Sequence, residues 1–380
     1  MDKYQKKQVL VALSGGVDSS VAAALLKKQG YKITGFYLRL FRDEKKEKQI
    51  KKIAKAIGMP LIIKDAQKEF RKKVIDYFLR EYKEGRTPNP CVVCNREIKF
   101  KFLFEELNKL KADYVATGHY ARIANSTSPA PPRQDHPSLI KEGMGEVFYK
   151  LFSAKDKTKD QSYFLYTLTQ KQLSKILFPL GDYKKEEVKK IARNLKLPVN
   201  EEESRNVCFI AGKCPDEFLK KNIKMKSGNI TDINGNIIGR HIGLPLYTIG
   251  QRRNIRIGGT GPYYVAAKDF RKNELIVVKK SNNPLLYRKE LLLGSSTPTW
   301  ELSSQVNWIL GKPKFPLQAR VCIRYHHPAV RAIIEEVRGG KCEVRGYKIK
   351  FTKPQRAVTP GQAAVIYSEK GEVLGGGTIS

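Results

Sequence analysis

Two rhythms of apolar and polar residues divide this chain. From residue 8 to about 120, short apolar runs alternate with amphipathic stretches at helical spacing. Gln8–Leu13 predicts a first strand. The stretch after it carries Val21, Ala24, Leu25 and Lys28 on one helical face. Ile33–Leu40 predicts a second strand, Glu44–Ile57 a basic surface helix, and Leu61–Lys64 a short strand. A long helix follows from about Gln67 to Tyr82, another over Glu97–Leu110, and a strand over Tyr114–Thr117. Such alternation implies an α/β fold, a parallel sheet with helices on both faces. Ligands of these sheets sit beyond the carboxyl ends of the strands. Ser14–Ser19, Leu38 and Gly118-His119-Tyr120 all fall just past strand ends, where they can line one pocket.

The rhythm then breaks. Asn125–Gly145 is rich in Ser, Pro and Gly without periodicity, which reads as a flexible insertion. Asp182–Lys196 predicts a helix with Asp182 as its N-cap and Pro198 beyond its end. From about residue 206, short β-rich runs punctuated by Gly and Asn take over, among them Val321–Tyr325, Ala332–Glu335, Cys342–Phe351 and Ala363–Tyr367. They imply a small β-rich central domain followed by a C-terminal β-barrel. The expected domains are 1–205, 206–283 and 284–380.

The first loop carries the clearest chemistry. Strand 1 runs into Ser14-Gly15-Gly16-Val17-Asp18-Ser19. The glycines allow close backbone approach to an anion, and the N–H groups opening the next helix point at it. Ser14 and Ser19 can donate to phosphate oxygens, and Asp18 can hold Mg²⁺. The Gly-Lys-Ser/Thr ending of the Walker loop is missing. SGGxDS after a strand resembles the PP-loop of ATP pyrophosphatases, which cleave ATP between the α and β phosphates. A plain Gly-Gly turn with a capping Asp is the competing reading.

Charge narrows the partner. Lys and Arg number 72 against 37 Asp and Glu, a formal net charge of +35. That excess favours a polyanion, most simply nucleic acid. No apolar run approaches the roughly 18 residues of a membrane span. The first residues enter strand 1 without a signal-peptide pattern, so a cytoplasmic protein is expected. In that compartment the six cysteines are expected to be catalytic or metal-binding rather than paired.

Arg86-Thr-Pro-Asn-Pro-Cys91-Val-Val-Cys94-Asn95 is a proline-stiffened loop leading into a helix. A thiol near a helix N-terminus, beside Arg86 and Arg96, is expected to have a lowered pKa. Half of a zinc site is the alternative, with Cys208 and Cys214 supplying the rest, although that spacing is weak. Cys208 sits in the apolar run Val207–Ile210, where an unremarkable buried cysteine is the base expectation. His119 reads equally as a core histidine. Lys159-Asp160-Gln161-Ser162-Tyr163 mixes polar tips with aromatics, which suits either an RNA-gripping surface or a helix start.

In order, the chain contains SGGVDSSVAA, GRTPNPCxxCNxxIKF, ATGHYAR, KDQSYFLY, SxxxCFI, GxHxGLPLYTIGQRR, PxxAVTPGQAAVxY and EVLGGG. This set resembles the tRNA-specific 2-thiouridylase family (MnmA type) over nearly the whole chain. The resemblance implies a Rossmann-like PP-loop ATP pyrophosphatase domain, with ATP bound by Ala12, Leu13, Ser14, Gly15, Gly16, Val17, Asp18, Ser19, Leu38 and Gly118. It implies thiolation of the wobble uridine of glutamate, glutamine and lysine tRNAs, through an adenylated uracil. Catalysis would fall to Cys208, carrying a persulfide from a sulfur-relay protein or cysteine desulfurase, and to Cys94 as its partner thiol. Asn89, Pro90 and Cys91 would meet the target base. His119, Lys159, Asp160, Gln161, Arg324, Tyr325 and Gln362 would contact tRNA, bound by a monomer.

One position departs from the family pattern. The familiar branch has Asp where this chain has Cys91. Three thiols, Cys91, Cys94 and Cys208, can hold a [4Fe–4S] cluster and leave one iron open, so a cluster-dependent route stands beside the persulfide route. Cys214, Cys322 and Cys342 match no motif and are expected to be structural. Two other readings remain, a PP-loop synthetase that adenylates a small molecule and a non-catalytic zinc-containing RNA-binding protein.

Overall fold

The computed structural model describes residues 7–126, 147–199, 207–210, 215–255, 257–258, 261–294, 306–338 and 344–380. Most of the expected 125–145 insertion lies outside these residues, as do Cys214 and Cys342. Among the described residues, no helix is long and apolar enough to cross a membrane.

The first unit is built on a parallel sheet. Its strands are β1 (Gln8–Ala12), β2 (Lys32–Arg39), β3 (Leu61–Asp65), β4 (Tyr114–Ala116) and β7 (Ile176–Leu177), in the order β3-β2-β1-β4-β7. Every pairing is parallel. Strand β1 is apolar on consecutive residues because both its faces are covered. Leu10 enters one core, while Val9 and Val11 enter the core on the opposite face. Helices α1 (Val17–Lys28) and α2 (Glu44–Ile57) cross between the first strands. Asp43 caps α2 by accepting from Lys46 N–H at 2.9 Å, and Gly58 ends it in the left-handed region.

Two helices differ from the sequence expectation. The helix after β3 is continuous but not regular. It comprises α3 (Gln67–Phe70), a π-helical turn (Arg71–Ile75) and α4 (Asp76–Lys83). The expected Glu97–Leu110 helix begins earlier, at Pro90. It runs through α5 (Pro90–Cys94), a second π turn (Asn95–Phe100) and α6 (Lys101–Leu110). Pro90 suits a first helical turn because its missing N–H has no partner there anyway. Both cysteines of the motif are therefore helical.

Three further expectations need correction. Asp182 is not an N-cap. Helix α8 (Lys185–Asn194) starts later, and Glu187 reaches back to accept from the Lys184 N–H at 2.6 Å. Strand β5 (Ala121–Ser126) pairs with β6 (Phe148–Ser153), so Asn125 belongs to a hairpin rather than to the insertion. Strand β14 (Leu317–Cys322) stops before Arg324, which lies on a turn closed by His327 N–H to Arg324 C=O at 3.0 Å.

The remaining elements of the first unit are short, including α7 (Gln170–Leu173). The second unit adds α9 (Pro215–Asn222) and a four-stranded sheet. Its strands β8 (Gly228–Thr231), β9 (Ile237–His241), β10 (Tyr264–Asp269) and β11 (Glu274–Val278) lie in the order β10-β11-β8-β9. The third unit is a seven-stranded antiparallel sheet formed by β12 (Tyr287–Leu293), β13 (Asn307–Trp308), β14, β15 (Val330–Arg338), β16 (Val344–Arg356), β17 (Ala363–Tyr367) and β18 (Val373–Thr378). It curls until Leu293 of β12 bridges to Ile379, just past β18.

Strand β17 joins the third unit to the first. All five of its residues are buried. Side chains alternate across a strand, so Ala364 and Ile366 fill the barrel core while Ala363, Val365 and Tyr367 enter the core shared with the first unit. The turn before it is equally tight. Gly361 has φ +89°, and a Cβ there would lie 2.9 Å from Arg86 Cβ and 3.0 Å from Thr87 N. Gly361→Ala is expected to destabilise the protein by about 2 kcal/mol or more, from left-handed strain plus this contact. A thermal melt equal to that of the parent would contradict this packing.

Candidate functional site

The phosphate loop lies beyond β1, facing the ends of β2 and β4. Gly15 takes φ +82°, a conformation that glycine adopts without strain. The N-cap of helix α1 is Gly16, which offers no side-chain acceptor to the first turn. Those N–H groups are thus available to an external anion. Ser14 and Ser19 hydroxyls lie 3.1 Å apart, and Ser19 Oγ also accepts from Ser14 N–H at 3.1 Å. Gly118 follows β4 and presses against this turn. A Cβ on it would come within 2.7 Å of Ser19 N and 2.8 Å of Asp18 C. Ala12, Leu13 and Val17 form the buried or half-buried floor, and Leu38 closes the end of β2.

Asp18 has two partners within the protein. Lys185 Nζ, from α8, donates to both its oxygens at 2.7 and 2.8 Å, and the Tyr120 hydroxyl donates to Oδ1 at 2.8 Å. The carboxylate expected to hold Mg²⁺ is thus also an ion-pair partner, with about a third of its side chain exposed.

Cys94 is buried, Cys91 is half-buried and Cys208 is exposed. Cys208 departs from the base expectation of a buried cysteine. Its neighbour Phe209 is the anchor, packing its ring 5.9 Å from Phe70, 5.2 Å from Phe78 and 5.4 Å from Phe218. That anchor holds the Cys208 thiol close enough to add to the field at Cys91 and Cys94.

The expected low thiol pKa is not what the structure gives. Burial raises Cys91, and pushes Cys94 up to about 12; nearby Lys99 opposes the rise and a charged Cys208 adds to it. Neither expected arginine acts on them. Arg86 donates to buried Glu81 at 2.7 and 2.6 Å, and Arg96 donates to Glu97 at 2.8 Å. The cation that does act, Lys99, was missed in the sequence. It lies in the π turn, whose extra residue rotates the following side chains by about 100° relative to a regular helix. The GRTPNPCxxCNxxIKF run contains Lys99, but helical spacing alone does not place it beside Cys94.

His119 links the two halves. Its Nδ1 lies 2.8 Å from Thr117 Oγ1, and its ring stacks on Phe100 with centroids 6.1 Å apart. Burial, then the Lys99 charge, pulls its pKa down to about 3, so it is neutral at physiological pH. One residue before it, Gly118 touches the phosphate loop.

The arrangement of Cys91, Cys94 and Cys208 lends the cluster-dependent route no support. Among the described residues, no three His, Cys, Asp or Glu side chains are grouped closely enough to hold a metal ion. The zinc alternative also needs Cys214, which lies outside the described residues.

Several expected tRNA-contact residues have partners within the protein. Asp160 accepts from Ala154 N–H at 3.0 Å and from the Ser162 N–H and hydroxyl at 3.1 and 3.0 Å. Gln161 exchanges hydrogen bonds with the Tyr120 backbone, fixing the Gly118–Tyr120 segment. Gln362 Nε2 donates to Thr87 C=O at 2.8 Å. Asn89 hydrogen-bonds Tyr163, and Pro90 is buried. Arg324 is exposed, Lys159 is half-buried, and Tyr325 packs its ring 4.4 Å from Phe164. Cys322 donates to the Arg324 and His327 carbonyls and holds the Arg324 turn, in keeping with a structural role. A cavity of about 280 Å³ lies on the other face of α5, lined by Asn89, Arg96, Tyr166, Gln172, Asn307 and Thr378; no thiol reaches it.

Exposure and burial set an order of thiol reactivity. Near neutral pH, iodoacetamide is expected to label Cys208 first and Cys91 and Cys94 at least about tenfold more slowly. Cys94 labelling should keep rising toward pH 12 without a plateau near the ordinary thiol range, and Lys99→Met should slow it further. Peptide mass spectrometry reads the order; equal rates for Cys94 and Cys208 would refute it.

Known proteins match the whole length of this arrangement. Family models described as "tRNA methyl transferase HUP domain", "tRNA methyl transferase PRC-barrel domain" and "Aminomethyltransferase beta-barrel domain" match residues 7–212, 216–279 and 302–379. The tRNA-specific 2-thiouridylase MnmA of Roseiflexus castenholzii is 40% identical over 390 residues, covering 98% of this chain and 99% of that protein. That of Geobacillus thermodenitrificans is 39% identical over 384 residues, covering 98% and 94%. A 4-thiouridine synthetase–RNA complex with bound ATP is a remote structural neighbour, with TM-score 0.35, 16% identity and coverage of 57% and 49%. With full-length relatives at this identity, the chain belongs to the tRNA-specific 2-thiouridylase (MnmA) family.

Proposed function

We propose that the protein thiolates the wobble uridine of tRNA at C2, consuming ATP and releasing AMP and diphosphate. The observation that carries this reading is the link through Gly118 and His119. Gly118 touches the loop suited to ATP phosphates, and Lys99 acts on His119 as it does on Cys91 and Cys94, which supports a reading in which both halves of the chemistry share one site. A small-molecule synthetase would need the loop but not the thiols. The family descriptions name methyl transfer, but the thiols and the full-length relatives favour sulfur transfer.

The reaction meets a leaving-group problem. The uracil 2-oxygen leaves poorly, so it first attacks the α-phosphorus of ATP, supplied as its Mg²⁺ complex, and diphosphate departs. A persulfide on Cys208 then attacks C2 through its terminal sulfur, and AMP leaves with the former uracil oxygen. Cys94 attacks the inner sulfur of the adduct. Its proton passes to the departing product sulfur, a Cys94–Cys208 disulfide forms, and 2-thiouridine is released. A thiol reductant restores the pair with two electrons. An exposed Cys208 suits loading by a sulfur-relay protein or cysteine desulfurase. Asn89, Pro90 and Cys91 are assigned to the target base, which must leave the anticodon stack to be reached.

The net charge of +35 suits tRNA phosphates. Exposed Arg324 and half-buried Tyr325 and Lys159 are the side chains we assign to contact with the anticodon arm. Glutamate, glutamine and lysine tRNAs are the substrates inferred, taken by a monomer in the cytoplasm.

The test is nucleoside mass spectrometry of tRNA from a strain lacking 2-thiouridine that expresses this protein. Wild type is expected to restore 2-thiouridine, Cys94→Ser and Cys208→Ser to abolish it, and Cys91→Asp to retain it. No restoration by wild type, with ATP and sulfur available, refutes the function. Stoichiometric iron on which activity depends would refute the persulfide route instead.

A further inference from the structure

The ion pair at the mouth of the phosphate loop carries an inference about the ATP site. Asp18 occupies the first turn of α1, beside the N–H groups that face a bound phosphate. An unneutralised carboxylate there repels a polyphosphate. Lys185 Nζ spans both Asp18 oxygens at 2.7 and 2.8 Å, and its side chain is only 10% exposed. The cation is rigidly delivered. Lys185 N–H donates to Asp156 Oδ2 at 3.0 Å, which fixes the start of α8, and the ammonium lies 5.8 Å from the Tyr120 ring centroid. Tyr120 in turn is locked by Gln161. Three segments that close on the loop, α1, α8 and Gly118–Tyr120, thus converge on one ammonium group.

A buried ion pair contributes little net stability, since an apolar pair of similar size often serves as well. Its position gives it another use. We propose that Lys185 is a substrate-binding residue of the ATP site, held by Asp18 and Tyr120 to meet the phosphates and to stabilise the departing diphosphate. An ammonium has three donors, so it can turn part of its donor set to a phosphate oxygen while Asp18 keeps it in place. Charge builds on the β-phosphate as its bond to the α-phosphorus breaks, and a preorganised cation stabilises that charge more than the ground state. The sequence did not disclose this residue, because Lys185 lies far along the chain in a run of lysines.

The inference rests on the proposed ATP-dependent thiolation, and the experiment separates the two. Initial rates of tRNA thiolation are measured against MgATP concentration for wild type, Lys185→Met and Lys185→Arg, with thermal melts of each. Lys185→Met is expected to lower kcat/KM for ATP by about 10²–10³-fold. Its KM for tRNA should stay within about threefold of wild type, a split that a merely structural lysine would not give. Lys185→Arg keeps the pair with Asp18 and hence the melting temperature. Its planar fork presents charge differently, so a loss of about tenfold or more in kcat/KM for ATP is expected. If Lys185→Met is folded and its ATP kinetics match wild type, the proposal is overturned. If it unfolds, wild-type kinetics in a stable Lys185→Arg overturn the proposal instead. A wild-type protein that thiolates nothing overturns the functional reading along with it.

Discussion

All three units of this protein meet at Thr87. Its N–H donates to Pro360 C=O at 2.9 Å, its carbonyl accepts from Gln362, and its hydroxyl lies 3.1 Å from that of Thr248 in the second unit. The preceding Arg86 is clamped to buried Glu81. Thr87 lies three residues before Pro90, where the helix carrying Cys91 and Cys94 begins. The position of those thiols is therefore set jointly by the barrel, the central sheet and the first unit. Strand β17 supplies the apolar area that holds the barrel there, and Thr87 supplies the register. This constraint explains why a catalytic unit of Rossmann type needs the other two units for more than reach. Without them, the loop that opens the thiol helix loses its backbone partners on one side.

The same constraint explains what the sequence could and could not disclose. The sheet was legible because period-two and helical apolar patterns are local, and β1, α2 and β17 fall within a residue or so of expectation. The phosphate loop was legible because glycine, hydroxyl and carboxylate residues lie together in sequence. The partners of Asp18 were not. Lys185 and Tyr120 reach it only through the crossing of α8 and the loop after β4. The early start at Pro90 was obscured because the Cys-x-x-Cys pattern suggests a loop. The π turn is a departure from helical spacing that no apolar periodicity encodes. Gln362 and Asp160 show a further limit. Both stand in motifs suggestive of RNA contact, yet their side chains brace neighbouring backbone, and the hydrogen bonds that do so join distant or turning segments.

The expected and observed ionisation of the thiols differ for an instructive reason. Proximity of Arg86 and Arg96 in sequence suggested an activating field. In the fold each guanidinium is neutralised by its own carboxylate, while burial acts on the sulfur without such cancellation. A thiol raised that far by burial holds its proton at neutral pH. In the proposed reaction that is an advantage. A Cys94 thiolate beside a loaded Cys208 would attack the persulfide and discharge its sulfur before a uridine arrived. A protonated Cys94 attacks slowly, so the persulfide survives until the base docks. The proton must then leave as attack proceeds, and Lys99 is the group whose charge favours that ionisation. Neutral His119, with its pKa near 3, adds no positive charge that would trigger it early. Low resting reactivity at Cys94 and exposure at Cys208 are thus two parts of one requirement, that sulfur be accepted readily from a donor and released only to an activated base.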